Sequence, residues 1–236
     1  MANAAPWFLV FILALGTSRV AFATDWEALE DRDGIQSFRQ RVPGQTAIGV
    51  KGRATMDVPI QYIAELLLDA DGEKKKEWVD MLSDFYVLDS SPTVITSYTL
   101  VSMPWPLEDR DFVVRTAINF DDVNHELLLS FASDTHPKAP PTPGVRGEMS
   151  QGTYRLRALS STTTLVEVET QVSLKGMIPD WVVNYAQKSW PYNTLTKMKA
   201  AAMKSDSKPN RLVLDKLKQW NMSVAVDRGG HSNLSP

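Results

Sequence analysis

Between residues 81 and 174 the chain keeps a period of two, and this alternation restricts its fold more than any other feature. In 111–120 the even positions are Phe112, Val114, Thr116, Ile118 and Phe120, while Arg115 and Asn119 fall on odd ones. In 163–174 the even positions are Thr164, Val166, Val168, Thr170, Val172 and Leu174, opposed by Glu167, Glu169 and Gln171. In 149–159, Tyr154, Leu156 and Ala158 oppose Arg155 and Arg157. Each segment is a strand with one apolar and one wet side. Further strands are expected at 81–89, 93–103 and 126–133, and two earlier ones at 35–42 and 47–58 on either side of Pro43-Gly44. All connections are short, so the eight or nine strands are expected to form one antiparallel sheet.

A sheet with one apolar face must cover it. The only long element available is a helix opened by Pro179 and running to about residue 205, with Trp181, Val182, Tyr185, Leu195 and Met198 among its apolar residues. The fold class is therefore α+β. Shorter helices are expected at 26–31, after Pro59, from Asp71 and at 211–220. In the helix from Asp71, residues 74–77 read as a solvated charge run and Trp78 as the anchor. The proline-rich stretch 136–144 reads as an exposed loop, and 224–236 as a disordered tail.

Three units divide the 236 residues. Residues 1–23 hold an apolar run at 7–15 and the small-x-small site Ala21-Phe22-Ala23, the pattern of a secretory signal too short to span a bilayer permanently. Residues 24–206 form the folded domain, and 207–236 a C-terminal extension. The chain has no cysteine, which excludes disulfides, thiol catalysis and cysteine zinc sites, and which fits an exported protein of the periplasm or the extracellular space. A net charge of −3 provides no basic field for nucleic acid.

Catalytic signatures are sparse. The three histidines, His125, His136 and His231, sit in a hairpin turn, before a proline and in the tail, without metal-ligand spacing. There is no Gly-x-Ser-x-Gly elbow and no glycine-rich phosphate loop, so neither a metal nor a cofactor is expected. The apolar inner face reads most simply as packed core. Thr116, Thr164 and Thr170 on that face point instead to a lined cavity, since a dry core favours valine.

Several segments carry a family resemblance. Met103-Pro104-Trp105-Pro106-Leu107-Glu108-Asp109-Arg110-Asp111-Phe112-Val113-Val114-Arg115 is a strand-breaking aromatic corner followed by a new strand. Lys175-Gly176-Met177-Ile178-Pro179-Asp180-Trp181-Val182-Val183-Asn184 leads into the long helix, and Trp26, Asp31-Arg32-Asp33-Gly34-Ile35 and Arg41-Val42-Pro43-Gly44 come earlier. Together they resemble the START domain, the lipid-transfer module related to steroidogenic acute regulatory protein, over residues 26–203.

The resemblance implies a helix-grip fold, a curved antiparallel sheet gripping the C-terminal helix around an internal cavity. It implies a lipid or other hydrophobic small molecule as ligand, transient membrane contact, a monomer, and binding without chemistry. The ligand-binding candidates are Phe112, Val114, Thr116, Ile118, Tyr154, Val166, Val168, Val172, Trp181, Val182 and Tyr185. Sterol-binding members resemble this strand but can place an arginine where Thr116 stands; Arg115, one residue short, faces the other way and is not carried over. Arg110 reads as a structural bridge to backbone carbonyls or to a neighbouring carboxylate at the corner, with contact to a lipid's polar group as the alternative. Trp105, fixed between prolines, reads as a plug at the corner, the alternative being a loop at the cavity mouth. Two other functions share the fold: a cyclase or aromatase, which needs a titratable group in the cavity, and an envelope adaptor, which needs no cavity.

Overall fold

The computed structural model describes residues 26–41, 47–204 and 209–222. The expected signal segment, the Pro43-Gly44 turn and the tail lie outside the described residues. The first element is a surprise. Residues 26–31 do not form a helix; Glu27–Arg32 is strand β1, paired with β2 (Ile35–Arg41). Asp33 and Gly34 both take positive φ, 53° and 76°, which is the tight-hairpin geometry that returns one strand along another. Arg39 then clamps the far end, its Nε 2.8 Å from Glu27 Oε2 and its Nη2 2.7 Å from Oε1. These pairings override the helical propensity of Glu-Ala-Leu-Glu.

The remaining elements follow the expected order. They are β3 (Ile48–Met56), α1 (Ile60–Leu68), α2 (Gly72–Trp78), β4 (Leu82–Ser91), β5 (Val94–Val101), β6 (Arg110–Asp121), β7 (Glu126–Ser133), β8 (Val145–Arg146), β9 (Glu148–Ala158), β10 (Thr164–Ser173), α3 (Asp180–Lys204) and α4 (Arg211–Gln219). Nine strands run β1-β2-β3-β10-β9-β7-β6-β5-β4, each antiparallel to its neighbours, and the two-residue β8 lies parallel to β6. The ladder is interrupted at both edges: β1 bulges between Ala28 and Glu30, and β4 between Leu82 and Asp84 and again between Val87 and Asp89.

One end of the inner face is a packed core. Ile63, Leu127, Leu156, Val166 and Val168 are almost wholly buried there, together with Leu195 and Met198 from the second half of α3. The helix crosses the sheet at Gly52, where a Cβ would stand only 2.9 Å from Pro191 Cβ and 3.0 Å from Leu195 Cδ1. Glycine allows this close approach. Pro191 lies inside α3 and has no N–H for the Gln187 carbonyl, so the hydrogen-bond ladder of the helix is interrupted at the crossing.

One surface expectation is corrected. Lys75 is not solvated: it is 6% exposed, and its Nζ lies 3.1 Å from the carbonyl oxygens of both Leu66 and Leu67 at the end of α1. It shares a face of α2 with the buried Trp78, three residues on. The loop 136–144 is exposed along most of its length, as expected, and only Ala139 packs against Leu88, Tyr98 and Val113 on the outer face of the sheet. Asp111, fully buried, holds the loop by accepting from Thr142 Oγ1 at 2.7 Å and from Arg146 Nε at 2.9 Å.

Candidate functional site: a pocket under the first half of α3

At the other end of the inner face the side chains do not meet. A pocket of about 220 Å³ remains between the sheet and the first half of α3. Phe112, Val114, Thr170 and Val172 rise from the sheet, and Trp181, Val182, Tyr185, Ala186 and Trp190 descend from the helix. Met103, Pro104 and Leu174 lie at the rim with Trp181, which is about half exposed (49%).

Six of the eleven candidate residues come together here: Phe112, Val114, Val172, Trp181, Val182 and Tyr185. The others do not line the pocket. Ile118, Val166 and Val168 belong to the packed core, Tyr154 packs against that core with its ring 5.7 Å from the Phe131 ring, and Thr116 is half-buried further along β6. All five share the face of the pocket residues but sit at the end that α3 fills. The threonines divide in the same way. Thr164 turns its hydroxyl to the Val58 carbonyl at 2.7 Å, while Thr170 lines the pocket and donates to the Gln151 carbonyl at 3.1 Å.

Of the groups at the polar end of the pocket, only Tyr185 was among the sequence candidates. Asp80, between α2 and β4, is 9% exposed and lines the pocket beside Tyr185. Its Oδ1 accepts from Lys197 Nζ at 2.6 Å; its Oδ2 accepts from the Tyr185 hydroxyl and, at 3.1 Å, from Asn193 Nδ2. Burial alone would raise the Asp80 pKa, but the hydrogen bonds from Lys197, Tyr185 and Asn193, with the lysine's charge, hold it below the usual carboxylate range. Burial and the neighbouring Asp80 push Tyr185 up to about 12, so it keeps its proton. The cluster also ties the helix to the segment before β4.

Arg110 has the structural role. It is 3% exposed, and its guanidinium donates to the carbonyls of Glu108, Leu174 (Nε, 2.9 Å) and Lys175 (Nη2, 3.3 Å). It therefore fastens the 104–109 corner to the joint between β10 and α3. That joint needs fastening because Lys175 and Gly176 both take positive φ, 53° and 72°, a conformation unfavourable for lysine. Trp105 is not a plug. It is 92% exposed, next to the rim residues Met103 and Pro104, and Met177, just past the joint, is 94% exposed.

Comparison with known proteins fits this architecture. The START domain family model matches residues 23–208. The chain belongs to the START domain family. A relative in Pseudomonas aeruginosa, an uncharacterized protein, is 26% identical over 195 residues, 80% of this chain and 92% of its own. The bovine phosphatidylcholine transfer protein is 26% identical over 179 residues, 73% of this chain and 82% of its own. Among solved structures, human StAR-related lipid transfer protein 5 superposes with a TM-score of 0.68 at 18% identity, covering 78% of this chain and 89% of that one, which shows the helix-grip fold.

Proposed function

We propose that this START domain binds one lipid in the pocket under α3 and carries it between membranes without altering it, acting as a monomer in the periplasm or outside the cell. The observation that carries this reading is the apolar pocket of about 220 Å³ left between Phe112, Val114 and Val172 on the sheet and Trp181 and Val182 on the helix. A packed adaptor has no use for such a space, which exceeds the volume of a few waters at roughly 30 Å³ each. Burying ~400 Å² of lipid at ~25 cal/mol/Å² contributes on the order of 10 kcal/mol gross, enough to compete with a bilayer. The exposed Trp105 and Met177, with the half-exposed Trp181 at the rim, suit brief contact with a membrane interface.

A cyclase would need a carboxylate free to move a proton in the pocket. Asp80 is in position, but the hydrogen bonds from Lys197, Tyr185 and Asn193 hold its pKa below the usual carboxylate range, which makes it a weak base with no proton to give. The geometry therefore favours carriage over catalysis. Native mass spectrometry of the purified protein, with extraction of whatever it holds, tests the reading. A lipid in 1:1 ratio is expected. A lipid-free protein that also takes up no fluorescent phospholipid, sterol or fatty acid after delipidation would overturn it.

A further inference from the structure

The pocket is built from apolar side chains with one polar end, and that end is unusual in what it offers. Among the described residues, no lysine, arginine or histidine lines the pocket. The charged side chain that does line it is the Asp80 carboxylate, which only accepts hydrogen bonds. Tyr185 gives its hydrogen to Asp80 and accepts from Asn193 Nδ2 at 3.4 Å, and Thr170 gives its own hydrogen to Gln151, so neither hydroxyl has a hydrogen left to donate into the space they line. Lys197, which balances the charge, is not a lining residue and is 46% exposed.

We infer that the pocket selects lipids whose buried polar group is an uncharged hydroxyl, and that Asp80 determines this specificity by accepting that hydrogen. The inference rests on the lipid-carrying reading and names its ligand class. A carboxylate or phosphate placed here would face Asp80 with no cation lining the wall, and both like-charge repulsion and desolvation oppose it. An ammonium would meet a carboxylate already balanced by Lys197 at 2.6 Å, so its own charge would be buried uncompensated. A hydroxyl needs only one free lone pair. Asp80 Oδ1 has one, since its only hydrogen-bond donor among the described residues is Lys197.

The test uses three probes of equal chain length on the delipidated protein at pH 8: hexadecan-1-ol, hexadecanoate and hexadecylammonium. Binding is followed through tryptophan emission, since Trp181 and Trp190 line the pocket. The alcohol is expected to bind at least tenfold more tightly than either ion. In Asp80→Asn, which places an N–H donor in the pocket, the preference over hexadecanoate should fall to within threefold. Should that variant fail to fold, Lys197→Met gives an independent reading: with the charge of Asp80 unbalanced, the ammonium should gain at least tenfold on the alcohol. Hexadecanoate binding as tightly as the alcohol to the unmodified protein, an unchanged preference in folded Asp80→Asn, or no gain for the ammonium in Lys197→Met would overturn the inference. Failure of all three probes to bind the unmodified protein would instead remove the lipid-carrying reading, and the inference with it.

Discussion

Replacing Arg110 by methionine keeps most of the side-chain volume and removes the three donors that join the corner to the joint before α3. Three backbone carbonyls, of Glu108, Leu174 and Lys175, lose a charged partner. Hydrogen bonds to charged groups contribute about 1.5–3 kcal/mol each. The lower end applies, because the methionine no longer keeps a guanidinium out of water and the loosened joint lets solvent reach the carbonyls. Three bonds at that end give an expected loss of about 4–5 kcal/mol, or a fall in Tm of roughly 8–20 °C for a chain of this size. Lysine should recover little of it, since one ammonium cannot span the three carbonyls that the planar guanidinium reaches. Urea denaturation gives the energy, and amide exchange through 174–178 should speed up, because Lys175 keeps its strained positive φ with less to hold it. A loss under 1 kcal/mol, or unchanged exchange across the joint, would show that the corner and the joint hold themselves without Arg110.

The two halves of α3 should respond differently to truncation. Leu195→Ala, at a fully buried position in the core, should cost about 2–5 kcal/mol in denaturant unfolding. Trp181→Ala, at the half-exposed rim, should cost under about 1 kcal/mol yet change lipid exchange between vesicles; equal costs would contradict the division. Burial depresses Lys75 to about 8 from an unfolded value of 10.5. The unfolded chain therefore binds more protons between these values, and stability rises with pH across that window. Relative to Lys75→Met, the unmodified protein should gain on the order of 3 kcal/mol between pH 7.5 and 10.5, and a flat difference would refute the buried-cation reading.

Periodicity predicted which face of each strand turns inward, and this was enough to place the sheet and the covering helix. Depth along a strand is another matter. Val168 and Val172 share a face of β10, yet one is sealed in the core and the other lines the pocket. What separates them is the point where α3 crosses, which depends on the missing side chain of Gly52 against Pro191 and Leu195. A pattern of alternation holds no such information. Asp80 was hidden for a related reason: its partners, Tyr185, Asn193 and Lys197, are more than a hundred residues away, on a helix whose rotation packing decides. The strand at Glu27–Arg32 had a usable signal, because Asp-Gly is a hairpin turn and calls for a strand on both sides. Lys75 had one too, in its three-residue spacing from Trp78.

An open sheet has two ends, and each is a template on which another chain could extend it. Here both templates are spoiled. A neighbour adding to β4 would have to follow a strand kinked twice, at Leu82/Asp84 and at Val87/Asp89. One adding to β1 would meet a bulge and, within six residues, Glu27, Glu30, Asp31 and Arg32. A protein that shows Trp105 and Met177 to water already carries the side chains that start aggregation. Its blunted edges keep that stickiness from growing into a continuous β-structure, so the exposed surface at the mouth can be tolerated at working concentrations.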